Sequence, residues 1–212
     1  MAGKLGIDSQ AADLWQVDVS GGATQLSVSQ GHEGSPVWSP DGSKVVSFVS
    51  GKQDGNYDLY VRAAEQGSRL DLLFHSGFPK YPTDWSKDGR YVFFNAVNDS
   101  TKYDVWAVST ADRHAGPILD TVNIERDAVL SPDGKWLAYD SDENGSRLEV
   151  YVQAFNGIES SGKRRWKIST GGAALPKWRA DGKELFYMTT SGRVMSAAVH
   201  PVWNFLDVTP DW

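Results

Sequence analysis

No cysteine occurs among the 212 residues, which excludes disulfides and thiolate metal ligation while leaving the compartment open. No apolar run approaches the roughly 18 residues that span a bilayer. The first residues, Met1-Ala2-Gly3-Lys4-Leu5-Gly6, lack the apolar core of a secretory signal. The expectation is a soluble chain without direct membrane insertion, or an extracytoplasmic region of a membrane-anchored parent. Basic residues are in deficit, 21 Lys and Arg against 27 Asp and Glu for a net charge of −6, and this weighs against a nucleic-acid partner. The one basic cluster, Lys163-Arg164-Arg165, reads as an outer edge strand protected by its charge. A kinase's Gly-rich loop and H-R-D segment are missing, as is the G-x-S-x-G of a serine hydrolase. Neither catalytic domain is encoded in this stretch.

What the chain has is a repeat. Trp38-Ser39-Pro40-Asp41-Gly42 returns as Trp85-Ser86-Lys87-Asp88-Gly89, Leu130-Ser131-Pro132-Asp133-Gly134 and Trp178-Arg179-Ala180-Asp181-Gly182, with the Asp residues 47, 45 and 48 positions apart. A second ruler agrees: Trp15, Tyr60, Trp106, Tyr151 and Met195 follow at 45, 46, 45 and 44, with an acid two residues ahead of the first four at Asp13, Asp58, Asp104 and Glu149. Periods of this length belong to propellers and related arrays, whose units bury their surface only against their neighbours. Pro presets φ at the turn, Asp bonds back to the backbone, and Gly takes the left-handed conformation, so the motif is a hairpin turn by mechanism.

Taken in order, residues 1–11 read as a flexible leader, and 12–212 as a single all-β propeller domain. Residues 12–30 supply a partial blade, with four-stranded blades near 35–76, 81–122, 126–170 and 174–209, the last edge strand falling at Phe205-Leu206-Asp207-Val208. That makes about four to five blades. Either the ring closes as five with one incomplete sheet, or the chain is part of a larger ring whose open edges pair two copies into a homo-oligomer.

The Trp-Ser-Pro-Asp-Gly turn is followed by strands such as Val46-Ser47-Phe48, Val92-Phe93-Phe94, Leu137-Ala138-Tyr139 and Leu185-Phe186-Tyr187, then by Asp58-Leu59-Tyr60-Val61 and its counterparts. This pattern resembles the TolB-type, WD40-like propeller repeat over residues 12 to about 200. The stretch from Leu130 to Tyr187, with the ending Asp207-Val208-Thr209-Pro210-Asp211, is similar to propeller regions that follow the kinase domain in some bacterial serine/threonine protein kinases. The resemblance implies a sensor or interaction region of a larger bacterial protein. Lys87, Leu130 and Arg179-Ala180 depart from the motif, yet every repeat keeps Asp-Gly.

Function is then expected where the repeats disagree. Loops between second and third strands, and those linking one blade to the next, share a face, and candidate binding residues on or near it are His32, Asp54, His75, Phe78, Tyr81 and Arg126. Asp84 and Lys177 stand where other units have Val37 and Val129, at the inner strand beside the axial channel. Four histidines do not obviously converge, and the acidic loops lack calcium-ligand spacing, so no metal, cofactor or catalytic residue is expected. The reading is a non-catalytic module that binds a protein, a peptide or a small ligand. Alternatives are the propeller of an enzyme, either a metal-dependent sugar-acid lyase or the gating domain of a prolyl-oligopeptidase-like hydrolase, and a purely structural or designed blade array.

Overall fold

The computed structural model describes residues 2–5, 12–27, 31–50, 56–99, 102–145, 147–158 and 161–199, and every regular element in them is a β-strand. Sheet one contains β1 (Ala2–Leu5), β2 (Ala12–Val17) and β3 (Ala23–Gln25). Sheet two contains β4 (Glu33–Trp38), β5 (Lys44–Ser50), β6 (Tyr57–Ala63) and β7 (Asp71–Phe74). Sheet three contains β8 (Lys80–Trp85), β9 (Tyr91–Ala96), β10 (Asp104–Ser109) and β11 (Ala115–Leu119). Sheet four contains β12 (Glu125–Leu130), β13 (Trp136–Ser141), β14 (Glu149–Phe155) and β15 (Ser161–Lys167), and sheet five β16 (Ala173–Trp178), β17 (Glu184–Thr189) and β18 (Val194–Ala198). Strands follow chain order in each sheet and all pairings are antiparallel.

Two differences from the sequence expectation stand out. Ala2–Leu5, inside the stretch read as a flexible leader, pairs with β2 from Ala2↔Trp15 to Leu5↔Ala12, because the free edge of β2 offers backbone partners to a segment that needs no apolar period of its own. The inner strands also begin one or two residues early, at Glu33, Lys80, Glu125 and Ala173, and the first three of these place a buried charged residue at the strand start. The expected edge strand at 205–208 lies outside the described residues.

Four apolar layers fill the gaps between successive sheets. Leu14 and Leu26 of the first unit meet Val45 and Trp38 of the second. Val46 and Leu59 meet Trp85, Val92 and Phe94. Phe93, Val105 and Leu119 meet Leu130, Leu137 and Tyr151, and Val129, Ala138 and Val152 meet Leu185 and Tyr187. One layer per sheet-to-sheet step explains why strands such as Val45-Val46-Ser47 and Val92-Phe93-Phe94 carry little polar alternation: both of their faces are covered. The residue before each turn, Trp38, Trp85, Leu130 or Trp178, packs into one of these layers, so replacing Trp by Leu changes the wedge and keeps the layer.

The turns share one mechanism. Ser39 Oγ donates to Asp41 Oδ1 at 2.6 Å and accepts the Lys44 N–H at 2.9 Å, while Gly42 takes φ of 71°. Ser86 and Ser131 repeat this with Asp88 and Asp133, and Gly89 and Gly134 stand at φ of 75° and 74°. In the fourth turn the Arg179 guanidinium takes over from Ser and grips Asp181 at 2.7 and 2.8 Å.

The second ruler also receives a structural explanation. The acid at the start of each third strand fastens nearby loops: Asp13 accepts from Gln25 and Ser27, Asp58 from Lys80, and Glu149 from Ser169 and the Gly172 N–H.

Candidate functional site

Each inner strand from sheet two to sheet five carries a β-bulge: between Gly34 and Val37, Pro82 and Asp84, Arg126 and Val129, and Ala174 and Lys177. In three of them a non-glycine residue enters the left-handed region, Ser35 at φ 48°, Asp127 at 56° and Leu175 at 59°. Bulges re-aim side chains and free a backbone N–H from the ladder. Here the second strand of the preceding sheet takes up that group. Asn95 Oδ1 accepts the Asp127 N–H at 2.9 Å, and Asp140 Oδ1 accepts the Leu175 N–H at 3.1 Å. Asn95 and Asp140 hold the same register position, opposite Tyr81 and Arg126, where the earlier and later sheets have Phe48 opposite Gly34 and Met188 opposite Ala174.

These positions form two unlike surfaces on the loop face. On sheets two and three the rings of Phe48 and Tyr57 stack at 4.8 Å, and Tyr81 stands edge-on to both at 5.3 and 5.6 Å. All three are half-buried. Burial raises the Tyr81 phenol above its ordinary range, helped by the phenols of Tyr57 and Tyr103. Gly34 is required by this cluster, since a Cβ there would lie 2.6 Å from the Phe48 ring.

On sheets four and five Arg126, Arg147, Leu148, Leu175 and Met188 line a cleft of about 420 Å³. Arg126 Nε lies 3.4 Å from Asp140 and 3.5 Å from Asp127. Burial and then the Asp127 charge push the Asp140 carboxyl up to about 8 against the opposing pull of Arg126 and the Leu175 N–H, so it keeps its proton at neutral pH.

The sequence-predicted residues divide among these surfaces and others. Tyr81 belongs to the aromatic cluster and Arg126 to the cleft. His32 is half-buried, and its backbone pairs with Ser50 through the N–H to Oγ at 2.9 Å and the C=O at 2.8 Å, which extends the β4–β5 ladder. His75 is exposed and bonds Asp58 at 2.7 Å. Asp58 also holds Lys80 at 2.7 Å, and Lys80 is fully buried, its ammonium donating further to the Phe78 and Ser76 carbonyls. Burial would raise the Asp58 carboxyl, but the bonds from Lys80 and His75 outweigh it and hold it below the usual carboxylate range. Phe78, a candidate contact in this loop, leans on Trp106 at 5.2 Å and joins the apolar layer between sheets two and three. The Phe78-Lys80 segment is thus tied down by a buried ammonium.

Asp84 Oδ2 accepts the Leu130 N–H at 2.7 Å from the next sheet, and burial raises its carboxyl to about 6 although part of its surface reaches solvent. Lys177 is exposed beside Pro82, Thr83, Asp127 and Leu175 around a smaller cavity of about 190 Å³, and no ion pair joins it to Asp84 among the described residues. Asp54 lies outside the described residues. Among those described, no three His, Cys, Asp or Glu side chains gather as metal ligands would.

The sequence missed Asn95, Asp127, Asp140, Arg147 and Met188. A usable signal existed in the end of the second strand, where Phe48, Asn95, Asp140 and Met188 vary while their neighbours repeat.

TolB from Acinetobacter baumannii superposes with a TM-score of 0.71 at 19% identity, over 88% of this chain and 45% of that one. The fold is that of the TolB-like β-propellers. No family model matches the chain. An uncharacterized protein of Agrobacterium fabrum is 27% identical over 159 residues, 71% of this chain and 53% of the relative. The uncharacterized peptidase YuxL of Bacillus subtilis is 27% identical over 116 residues, 54% of this chain and 17% of the relative. This propeller chain therefore spans about half of the first curated relative and less of the second. Among the described residues no helix is long and apolar enough to cross a membrane.

Proposed function

We propose that this propeller is a non-catalytic recognition module of a larger bacterial protein, and that its loop face binds a protein or peptide. The observation that carries the reading is the half-buried Phe48–Tyr57–Tyr81 cluster. Rigid aromatic side chains supply contact area at low entropic cost, and aromatic residues are enriched at interface cores. The kinase-associated identity rests on the resemblance of the Leu130 to Tyr187 stretch and the Asp207 to Asp211 ending, and belongs to this proposal. Panning a peptide library on the intact chain tests the reading. Enriched peptides should lose binding on Tyr81→Ala and keep it on Lys87→Ala, which lies on the turn face. Enrichment indifferent to Tyr81 and Phe48 would remove the loop face as the binding surface.

The likeness to peptidase YuxL favours one second reading, a propeller that serves a separate catalytic domain. Fusion to such a domain in the parent gene, with activity altered by Tyr81→Ala, is the result that distinguishes it. We propose further that the open edges of sheets one and five, each with three described strands, drive self-association. A monomeric mass by light scattering across a concentration series would refute this.

A further inference from the structure

The cleft between sheets four and five combines two features that no packing role accounts for. Arg147 is exposed and makes no hydrogen bond or ion pair among the described residues. Its stem passes the loop before β16, where a Cβ on Gly172 would sit 3.7 Å from Arg147 Cδ. Across the cleft Arg126 is held through Nε alone, leaving its two terminal nitrogens without a partner among the described residues. The same cleft presents apolar side chains to solvent. Leu175 is 50% exposed and Met188 41%, although each occupies a strand position that other sheets fill with polar or packed residues. Leu175 also holds a left-handed φ of 59°, a conformation unfavourable for a branched side chain, and the Asp140 bond to its N–H keeps it there. A strained residue that displays an apolar side chain to solvent in a cleft lined by two arginines with free donors is a pattern of ligand sites.

We propose that this cleft binds a small organic monocarboxylate, its carboxylate bridged by Arg126 and Arg147 and its apolar substituent laid on Leu175 and Met188. Charge complementarity selects the class. Guanidinium forks match a planar carboxylate, and the floor favours a hydrocarbon neighbour over a second charge. The cleft volume of about 420 Å³ suits a small molecule. The proposal rests on the reading of the loop face as the binding face and names a second ligand class for it.

Hexanoate is the probe, titrated against the intact chain by calorimetry and by NMR. One saturable site is expected. Affinity should fall about 10-fold or more on Arg147→Gln, as for loss of a charge-assisted hydrogen bond. Acetate and hexanol should each bind at least about 10-fold more weakly, the first for want of the chain and the second for want of the charge. Arg147 is exposed, so its variant should fold as the parent does, and an unchanged melting temperature checks this. Met188→Ser should weaken hexanoate and leave acetate alone. The proposal is overturned if hexanoate gives no saturable signal, if Arg147→Gln binds it equally, or if hexanol matches it. It is also overturned if a peptide ending in a free Leu carboxylate binds far more tightly than hexanoate, since the site would then be built for a chain terminus. Failure here with Tyr81-dependent peptide binding intact removes the carboxylate site alone, whereas loss of both removes the recognition reading too.

Discussion

Asp140 reaches from sheet four into sheet five and accepts the Leu175 N–H at 3.1 Å. One sheet earlier Asn95 makes the equivalent bond to Asp127 at 2.9 Å, so amide and acid do the same mechanical work at neighbouring sheet-to-sheet steps. Only the acid can titrate, and burial followed by the Asp127 charge raises it to about 8.

That difference sets a pH dependence. Between the ordinary carboxylate range, about 4 in the unfolded chain, and about 8 in the folded one, the folded state binds the extra proton. Stability contributed by Asp140 is therefore complete below the lower limit, falls as pH rises through this window, and levels above it. Asp140→Asn retains an acceptor for Leu175 and gives up only the long 3.4 Å contact to Arg126. The variant should match the parent near pH 4 and exceed it by more than about 1 kcal/mol near pH 8.5. Urea midpoints at both pH values measure it, and parallel profiles for the two proteins would contradict the assignment.

The fold was legible because its signals are local and repeated. Asp-Gly turns, a wedge residue and a third-strand aromatic each recur with one period, and every sheet between β4 and β18 follows from them. The site was less legible because it depends on contacts between sheets. Lys80 reads as a loop cation, and nothing in its own neighbourhood announces that Asp58, 22 residues earlier, will take it into the core. Asp84 reads as a channel-side charge, whereas in the structure its Oδ2 accepts a backbone N–H from the next sheet. Leu175 looked like an ordinary strand residue because a bulge with positive φ leaves no mark when the residue is not glycine.

Lys80 should be one of the most sensitive positions in the chain. Its ammonium is fully buried with one carboxylate and three carbonyls close by, and removing it leaves Asp58, among the described residues, with His75 as its remaining side-chain partner. Lys80→Ala should cost about 3–5 kcal/mol, the range for breaking a buried pair from one side. Replacing both members, Lys80→Met with Asp58→Leu, should recover much of that loss. Thermal melts of the single and double variants decide, and a neutral Lys80→Ala would mean the ammonium is better hydrated than its burial implies.

Gly34 offers a test of the aromatic cluster that does not touch an aromatic. Its φ is not in the left-handed region, so Ala is unstrained there, and the only obstacle is the Phe48 ring 2.6 Å from the new Cβ. The ring must leave its stack on Tyr57 and its edge contact with Tyr81. Gly34→Ala should cost about 1–3 kcal/mol as overpacking does, and Phe48→Leu in the same chain should relieve part of it. Non-additivity in a double-mutant cycle is the expected readout. Additive losses would place the rings elsewhere.

Asp84 separates a structural acceptor from a ligand contact. Its Oδ2 takes the Leu130 N–H at 2.7 Å across the step between sheets three and four, and Leu130 itself is buried in the layer between them. Asp84→Asn preserves an acceptor and removes a carboxyl that burial raises to about 6 and that is ionised at pH 7, so there the variant should be at least as stable as the parent. Asp84→Ala orphans a backbone donor and should cost about 1–3 kcal/mol. Asp84→Val, which copies Val37 and Val129, restores the apolar surface yet leaves the same N–H unmet, so it should stay closer to Ala than to Asn. Ranking the three by urea midpoint reads out the bond itself. If Val matched Asn, the acceptor at this step would be dispensable, and the carboxylate would have to be explained by what enters the channel beside Lys177.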